Sequence, residues 1–129
     1  MLGTNDLKTE FDRSPQDIAE ATDDLLNSIE QHGRYMKGDL PKVIIMSPIH
    51  IDVSAHEFKN FYSENYDDTA GGKSEALAPL IKQVADTHEV IFIDAASVAE
   101  PGIDGIHLST DSHTPLANLV HDQVRQIQF

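Results

Sequence analysis

Lys42-Val43-Ile44-Ile45-Met46-Ser47-Pro48 and Val90-Ile91-Phe92-Ile93-Asp94 are the two stretches whose reading decides the fold. Each is a short, continuous apolar run, and a strand apolar at successive positions is one covered on both faces, as in the interior of a parallel sheet. Between them Leu77, Leu80, Ile81, Val84 and Ala85 share one helical face. Strand, helix, strand predicts a right-handed parallel crossover.

Working outward, Ser14-Pro15-Gln16-Asp17 predicts a helix start: Ser14 caps, Pro15 suits the first helical position, and Asp17 faces the positive end of the helix dipole. Ile18, Leu25, Leu26 and Ile29, with the small Ala21 and Thr22 between them, continue the pattern over residues 15 to 32, and Gly33 offers a stop. Lys37-Gly38-Asp39-Leu40-Pro41 reads as the turn into the first strand. Thr114-Pro115 announces a last helix whose buried stripe is Leu116, Leu119, Val120, Val124 and Ile127. The order helix, strand, helix, strand, helix predicts a three-layer α/β domain.

Residues 49–73 form a long connection carrying Phe58, Phe61, Tyr62 and Tyr66 and ending at Gly71-Gly72. Connections of that length are commonly functional. In open α/β sheets ligands bind outside the carboxyl ends of the strands, so the segments after Met1-Leu2, after Ser47 and after Asp94 are expected along one edge. Met1-Leu2 reads as the stub of a further strand, which leaves one side of the sheet without its neighbours.

With 22 acidic and 9 basic residues the formal net charge is −13, which repels phosphate backbones and anionic lipid. The expectation is therefore no nucleic acid and no membrane, and a small neutral or cationic substrate. The absence of cysteine excludes a disulfide framework, a thiolate nucleophile and Cys-ligated zinc. No stretch approaches a membrane span, and the sequence as written opens without a basic, apolar leader, so a cytoplasmic location is expected; a signal peptide lost with a missing N-terminus would change that.

Asp104-Gly105-Ile106-His107 places a carboxylate and an imidazole three positions apart in the loop between the second strand and the last helix. Such a carboxylate fixes the imidazole tautomer and leaves the other ring nitrogen to take a proton; a capping Asp beside a solvated His is the plainer reading of the pair alone. In Gly3-Thr4-Asn5-Asp6 the glycine permits a tight turn and the Asn5 amide can face an anion, whereas an Asx-turn leading out of a strand explains the same residue types.

The two blocks together, in this order on one expected sheet edge, resemble the SGNH (GDSL-type) ester hydrolases. The likeness runs through Met-Leu-Gly-Thr-Asn-Asp-Leu-Lys, the Ser14 to Ala19 helix start, the Val43 to Pro48 strand, Phe92-Ile93-Asp94-Ala95 and Asp104-Gly105-Ile106-His107-Leu108. It is closest to the short-chain aryl esterase and acyltransferase branch. The resemblance implies a flavodoxin-like three-layer parallel sheet with helices on both faces, one domain over residues 1–129, N-terminally truncated so that the N-terminal strands are missing. It further implies His107 as general base and acid, Asp104 as its orienting partner, Asn5 as oxyanion donor and Gly3 as the shaper of that turn. The activity it implies is hydrolysis of small acyl esters, or acyl transfer to alcohols, by a Ser-His-Asp mechanism without cofactor or metal. The family's Gly-Asp-Ser-Leu-like block is absent, so no nucleophile is assigned in this chain; the alternative is an inactive remnant serving as a binding or interaction module.

Ser47, ending a strand, and Ser109, two residues past His107, are read as turn or cap hydroxyls. His107 and His113 with Asp104, Asp111, His50 or Asp52 offer nitrogen and oxygen ligands for a metal, without the spacing that would make such a site specific. His32, His88 and His121 are read as solvated, as are the acidic pairs Asp23-Asp24 and Asp67-Asp68. The aromatic group in 49–73 reads as a substrate-pocket wall, a subunit contact or a small satellite core. A homo-oligomer would form through the open sheet edge or the 49–73 loop.

Overall fold

The computed structural model describes residues 1–35 and 41–127. It holds α1 (Pro15–Tyr35), β1 (Ile44–Ser47), α2 (Phe58–Phe61), α3 (Ala70–Thr87), β2 (Ile91–Asp94) and α4 (His113–Arg125), with short 3-10 turns at Asn5–Leu7, Thr9–Phe11, Ala95–Ser97 and Thr110–Ser112. The turn expected at Lys37 to Leu40 lies outside the described residues.

β1 and β2 pair in parallel, in the register Ile44 with Ile91 through Ser47 with Asp94. Side chains alternate faces along a strand. Ile45 and its partner Phe92 pack into one apolar cluster built around Ile18, Leu77 and Ile81, while Met46 packs into a second around Ile49, Ala95 and Leu116. Helix α3 lies on both strands with α1 against it, and α4 touches β2. The protein is thus a layered α/β fold about a parallel sheet.

α1 starts as expected. The Ser14 hydroxyl accepts the Asp17 N–H at 3.1 Å and the Asp17 carboxylate accepts the Ser14 N–H at 2.7 Å, a reciprocal cap. These bonds from Ser14 hold the Asp17 carboxyl below its ordinary value. Ile18, Ala19, Thr22 and Leu26 are buried, but Leu25 is 43% exposed. Gly33 does not end the helix, which runs on to Tyr35; an interior glycine weakens a helix by only about 1 kcal/mol and does not by itself stop it.

Three further expectations are corrected. Gly71-Gly72 do not close the long connection but form the first turn of α3. There Gly71 lets the helix approach the Ile51 carbonyl, and Ser74 Oγ accepts the Ile51 N–H at 2.8 Å while donating to the Gly71 carbonyl at 2.6 Å. Met1 and Leu2 form no strand and are 57% and 59% exposed, since two residues without a hydrogen-bonded neighbour make no ladder. Along α4 only Leu116 is buried; Val124 is 40% exposed, because the described layers do not cover that end of its stripe.

Candidate active site

β1 and β2 end side by side at Ser47 and Asp94, where Ser47 Oγ donates to Asp94 Oδ1 at 3.1 Å. The segments leaving both strands therefore share one edge. They are stitched together there: Asp52 N–H donates to the Gly105 carbonyl at 2.9 Å and Glu57 N–H to the Ile103 carbonyl at 3.0 Å. A tight turn between Pro101 and Leu108 carries Asp104 and His107, closed by Gly102 N–H on the His107 carbonyl at 2.7 Å. Gly105 has φ +76°, and a Cβ on it would collide with the Asp52 carbonyl oxygen, so this position requires glycine.

His107 Nδ1 lies 2.7 Å from Asp104 Oδ2, while Asp104 Oδ1 accepts the Ile106 and His107 N–H groups, each at 3.0 Å. Burial pushes the Asp104 carboxyl up. The bonds from the Ile106 amide, the His107 ring and the His107 amide outweigh it and hold the group below its ordinary 3.8. The His107 side chain is 72% exposed against 24% for Asp104, so the imidazole is free to meet another group through Nε2.

Gly3 is buried with φ +114°, and its missing Cβ leaves room for Leu77, Ile18 and Pro48. The chain then winds into the 3-10 turn at Asn5, held by Asp6 N–H on the Gly3 carbonyl at 3.1 Å. Asn5 is exposed and its side chain bonds no other described residue. Gly3, Asn5, Ile49, His107 and His113 line one cavity of ≈ 440 Å³, so residues from opposite ends of the chain meet there. From sequence His113 was read only as an offered metal ligand; its place in this wall depends on how α4 docks and left no local signal.

Neither Ser47 nor Ser109 bonds the His107 imidazole. Ser47 is fully buried on Asp94, and Ser109 caps the turn before α4, its hydroxyl 2.7 Å from that of Ser112. Among the described residues no group of three histidines and carboxylates is close enough to hold a metal ion. The aromatic segment divides: Phe58 and Tyr66 are core, Phe61 is 65% exposed, and Tyr62 reaches the site with its hydroxyl 3.4 Å from His107 Nδ1.

His88 and Asp23 are not merely solvated. The His88 side chain is 7% exposed, with Nε2 2.8 Å from Asp23 and Nδ1 2.8 Å from Glu30. The bonds from Glu30 and then Asp23 raise the imidazole above its ordinary value of 6.5 against the effect of burial. Asp67 caps the approach to α3 through the Thr69 N–H at 2.8 Å.

No protein-family model and no curated protein matches the chain. Solved structures do. It is 30% identical to an aryl esterase of M. smegmatis, with a TM-score of 0.84 over 99% of this chain and 59% of that one. A carbohydrate acetylesterase from Sinorhizobium meliloti is also 30% identical, with a TM-score of 0.84 over 97% of this chain and 58% of its own. These neighbours are SGNH/GDSL-type hydrolases, and the chain has their fold. It spans less than two thirds of the length of either. Among the described residues no helix is long and apolar enough to cross a membrane.

Proposed function

We propose that this chain carries the general base and an oxyanion donor of an ester hydrolase acting on small acyl esters. The reading rests on one observation, the 2.7 Å contact of Asp104 with His107 Nδ1 on the wall of the cavity that also receives Asn5. The esterase activity named for the matched structures supports it. Asp104 keeps the proton on Nδ1, so Nε2 takes the proton of an attacking serine as its oxygen bonds to the ester carbonyl carbon. The carbonyl electrons move to the oxygen, where the Asn5 amide donates to the oxyanion; one such donor is typically worth about 3–4 kcal/mol in the transition state. Collapse expels the alcohol, which takes its proton from His107. Water, activated by the same nitrogen, releases the acid, and an alcohol in its place gives acyl transfer. The serine in this reading comes from outside these 129 residues.

A second reading is favoured by the absence of a serine on His107 among the described residues: an inactive hydrolase-like module that binds an ester, or a second copy through the edge of β1 that pairs with no described strand. That edge has an apolar groove beside it, lined by Leu2, Leu25, Ile44 and Met46. A chimera separates the two readings. The part of the M. smegmatis aryl esterase left uncovered by the match is joined to this chain and assayed with an aryl acetate. Turnover that disappears in His107→Ala supports the hydrolase; a folded chimera that binds the ester saturably without product overturns it.

A further inference from the structure

The two halves of the site arrive from opposite ends of the chain, and both His107 and Asn5 are exposed. Exposed side chains on turns do not hold a catalytic separation unaided. One aromatic cluster touches both halves. Tyr62 and Tyr66 meet edge to face at 6.3 Å between ring centroids, and each lies 6.4 Å from the buried Phe58. Tyr62 packs its ring 6.0 Å from the His107 ring and brings its hydroxyl to 3.4 Å from Nδ1. Tyr66 donates its hydroxyl to the Thr4 carbonyl at 3.3 Å, one residue before Asn5. The same segment is fastened by its backbone: the Thr9 N–H donates to the Asn65 carbonyl at 2.8 Å, and the Glu57 N–H to the Ile103 carbonyl at 3.0 Å.

We propose that Tyr62 and Tyr66 are positioning residues, Tyr62 for the His107 imidazole and Tyr66 for the turn that presents Asn5, so that segment 58–66 sets the separation of base and oxyanion donor. The roles named for His107 and Asn5 rest on the function proposed above; the positioning itself rests on the contacts.

The chemistry at Nδ1 is directional. With Asp104 Oδ2 at 2.7 Å this nitrogen carries the proton, so the Tyr62 hydroxyl at 3.4 Å meets it with a lone pair, as a longer second acceptor. Asp104, whose carboxylate can only accept, sets the Nδ1–H tautomer and leaves the Nε2 lone pair free; the Tyr62 hydroxyl adapts to that choice. At 3.4 Å the hydroxyl is the weaker partner, and the ring packing supplies the restraint on rotation. Tyr66 acts differently. Burial, and then Tyr62 beside it, raise its phenol above 10, so it stays protonated and remains a donor to Thr4.

The test is side-chain nitrogen NMR on the chain itself, in alkaline buffer, which needs no turnover. The expected result is a separation of effects. Tyr62→Phe, which keeps the ring packing, moves the His107 ring nitrogen signals slightly, Tyr62→Leu, which removes it, moves them further, and neither moves the Asn5 amide signals. Tyr66→Phe moves the Thr4 and Asn5 signals and leaves the His107 ring signals as in the parent. Unchanged His107 ring signals in both Tyr62 variants overturn the proposal, as does equal disturbance of both groups by either tyrosine, which is the signature of packing alone. A parent chain with its proton on Nε2 would instead defeat the reading of His107 as base, and the separate responses of the two groups would still decide the role of the tyrosines.

Discussion

Asp104 bonds the His107 ring with one carboxylate oxygen, at 2.7 Å, and with the other holds the backbone turn that carries that ring. One side chain therefore sets the tautomer of the imidazole and braces the turn that carries it. Asp104→Asn retains an oxygen for the turn but loses the negative charge opposite Nδ1. In the chimera this variant is expected to lower kcat by roughly 10²- to 10⁴-fold with little change in KM, read by steady-state hydrolysis of an aryl acetate.

Because the folded Asp104 carboxyl lies below its ordinary 3.8, its bonds stabilise the fold fully above the unfolded value and lose that contribution as pH falls through the lower folded value. The stability gap between parent and Asp104→Asn in urea is expected to be constant near neutrality and to close in acid. A gap independent of pH would contradict this.

His88 runs the other way. Only the protonated ring has two N–H donors for Asp23 and Glu30, and its folded value is raised above 6.5. The α1–α3 clasp is therefore fully in place below the unfolded value and weakens as pH rises through the folded one. His88→Gln should remove this alkaline loss of stability, seen as a thermal midpoint that no longer falls between neutral and alkaline buffer.

Gly105→Ala places a Cβ against the Asp52 carbonyl at a positive φ, and Gly72→Ala adds one into open space within α3. The first is expected to destabilise by at least about 1–3 kcal/mol and the second to stabilise by about 0.4–1 kcal/mol. Urea denaturation of the two variants reads the opposite signs directly.

Ser74→Ala removes the buried hydroxyl that accepts the Ile51 N–H and leaves that donor unpaired at 1% exposure of the serine. A loss of about 1–3 kcal/mol is expected, with faster amide exchange at Ile51.

The strands and long helices were legible because each is a local pattern: continuous apolar runs at Ile44 to Ser47 and Ile91 to Asp94, and three- and four-residue spacing around Leu77 and Ile81. The closeness of Asp104 to His107 was legible for the same reason, since positions i and i+3 of one turn lie near each other. Local rules also misled. Gly33 and Gly71-Gly72 look like stops, yet helices run through them because tertiary packing outweighs the small intrinsic cost.

What the sequence alone determined is the α/β alternation, the order of the elements and the two chemical blocks, all set by residues near one another along the chain. Only the tertiary structure decided that His113 joins the cavity of Asn5 and His107, that Tyr62 and Tyr66 each reach a different half of the site, and that His88 is clasped between two carboxylates of α1. Those partners lie 45 to 65 positions apart in the tyrosine and histidine contacts. Hydrophobic periodicity says which face of an element is buried; it carries no information on which distant side chain will meet it there.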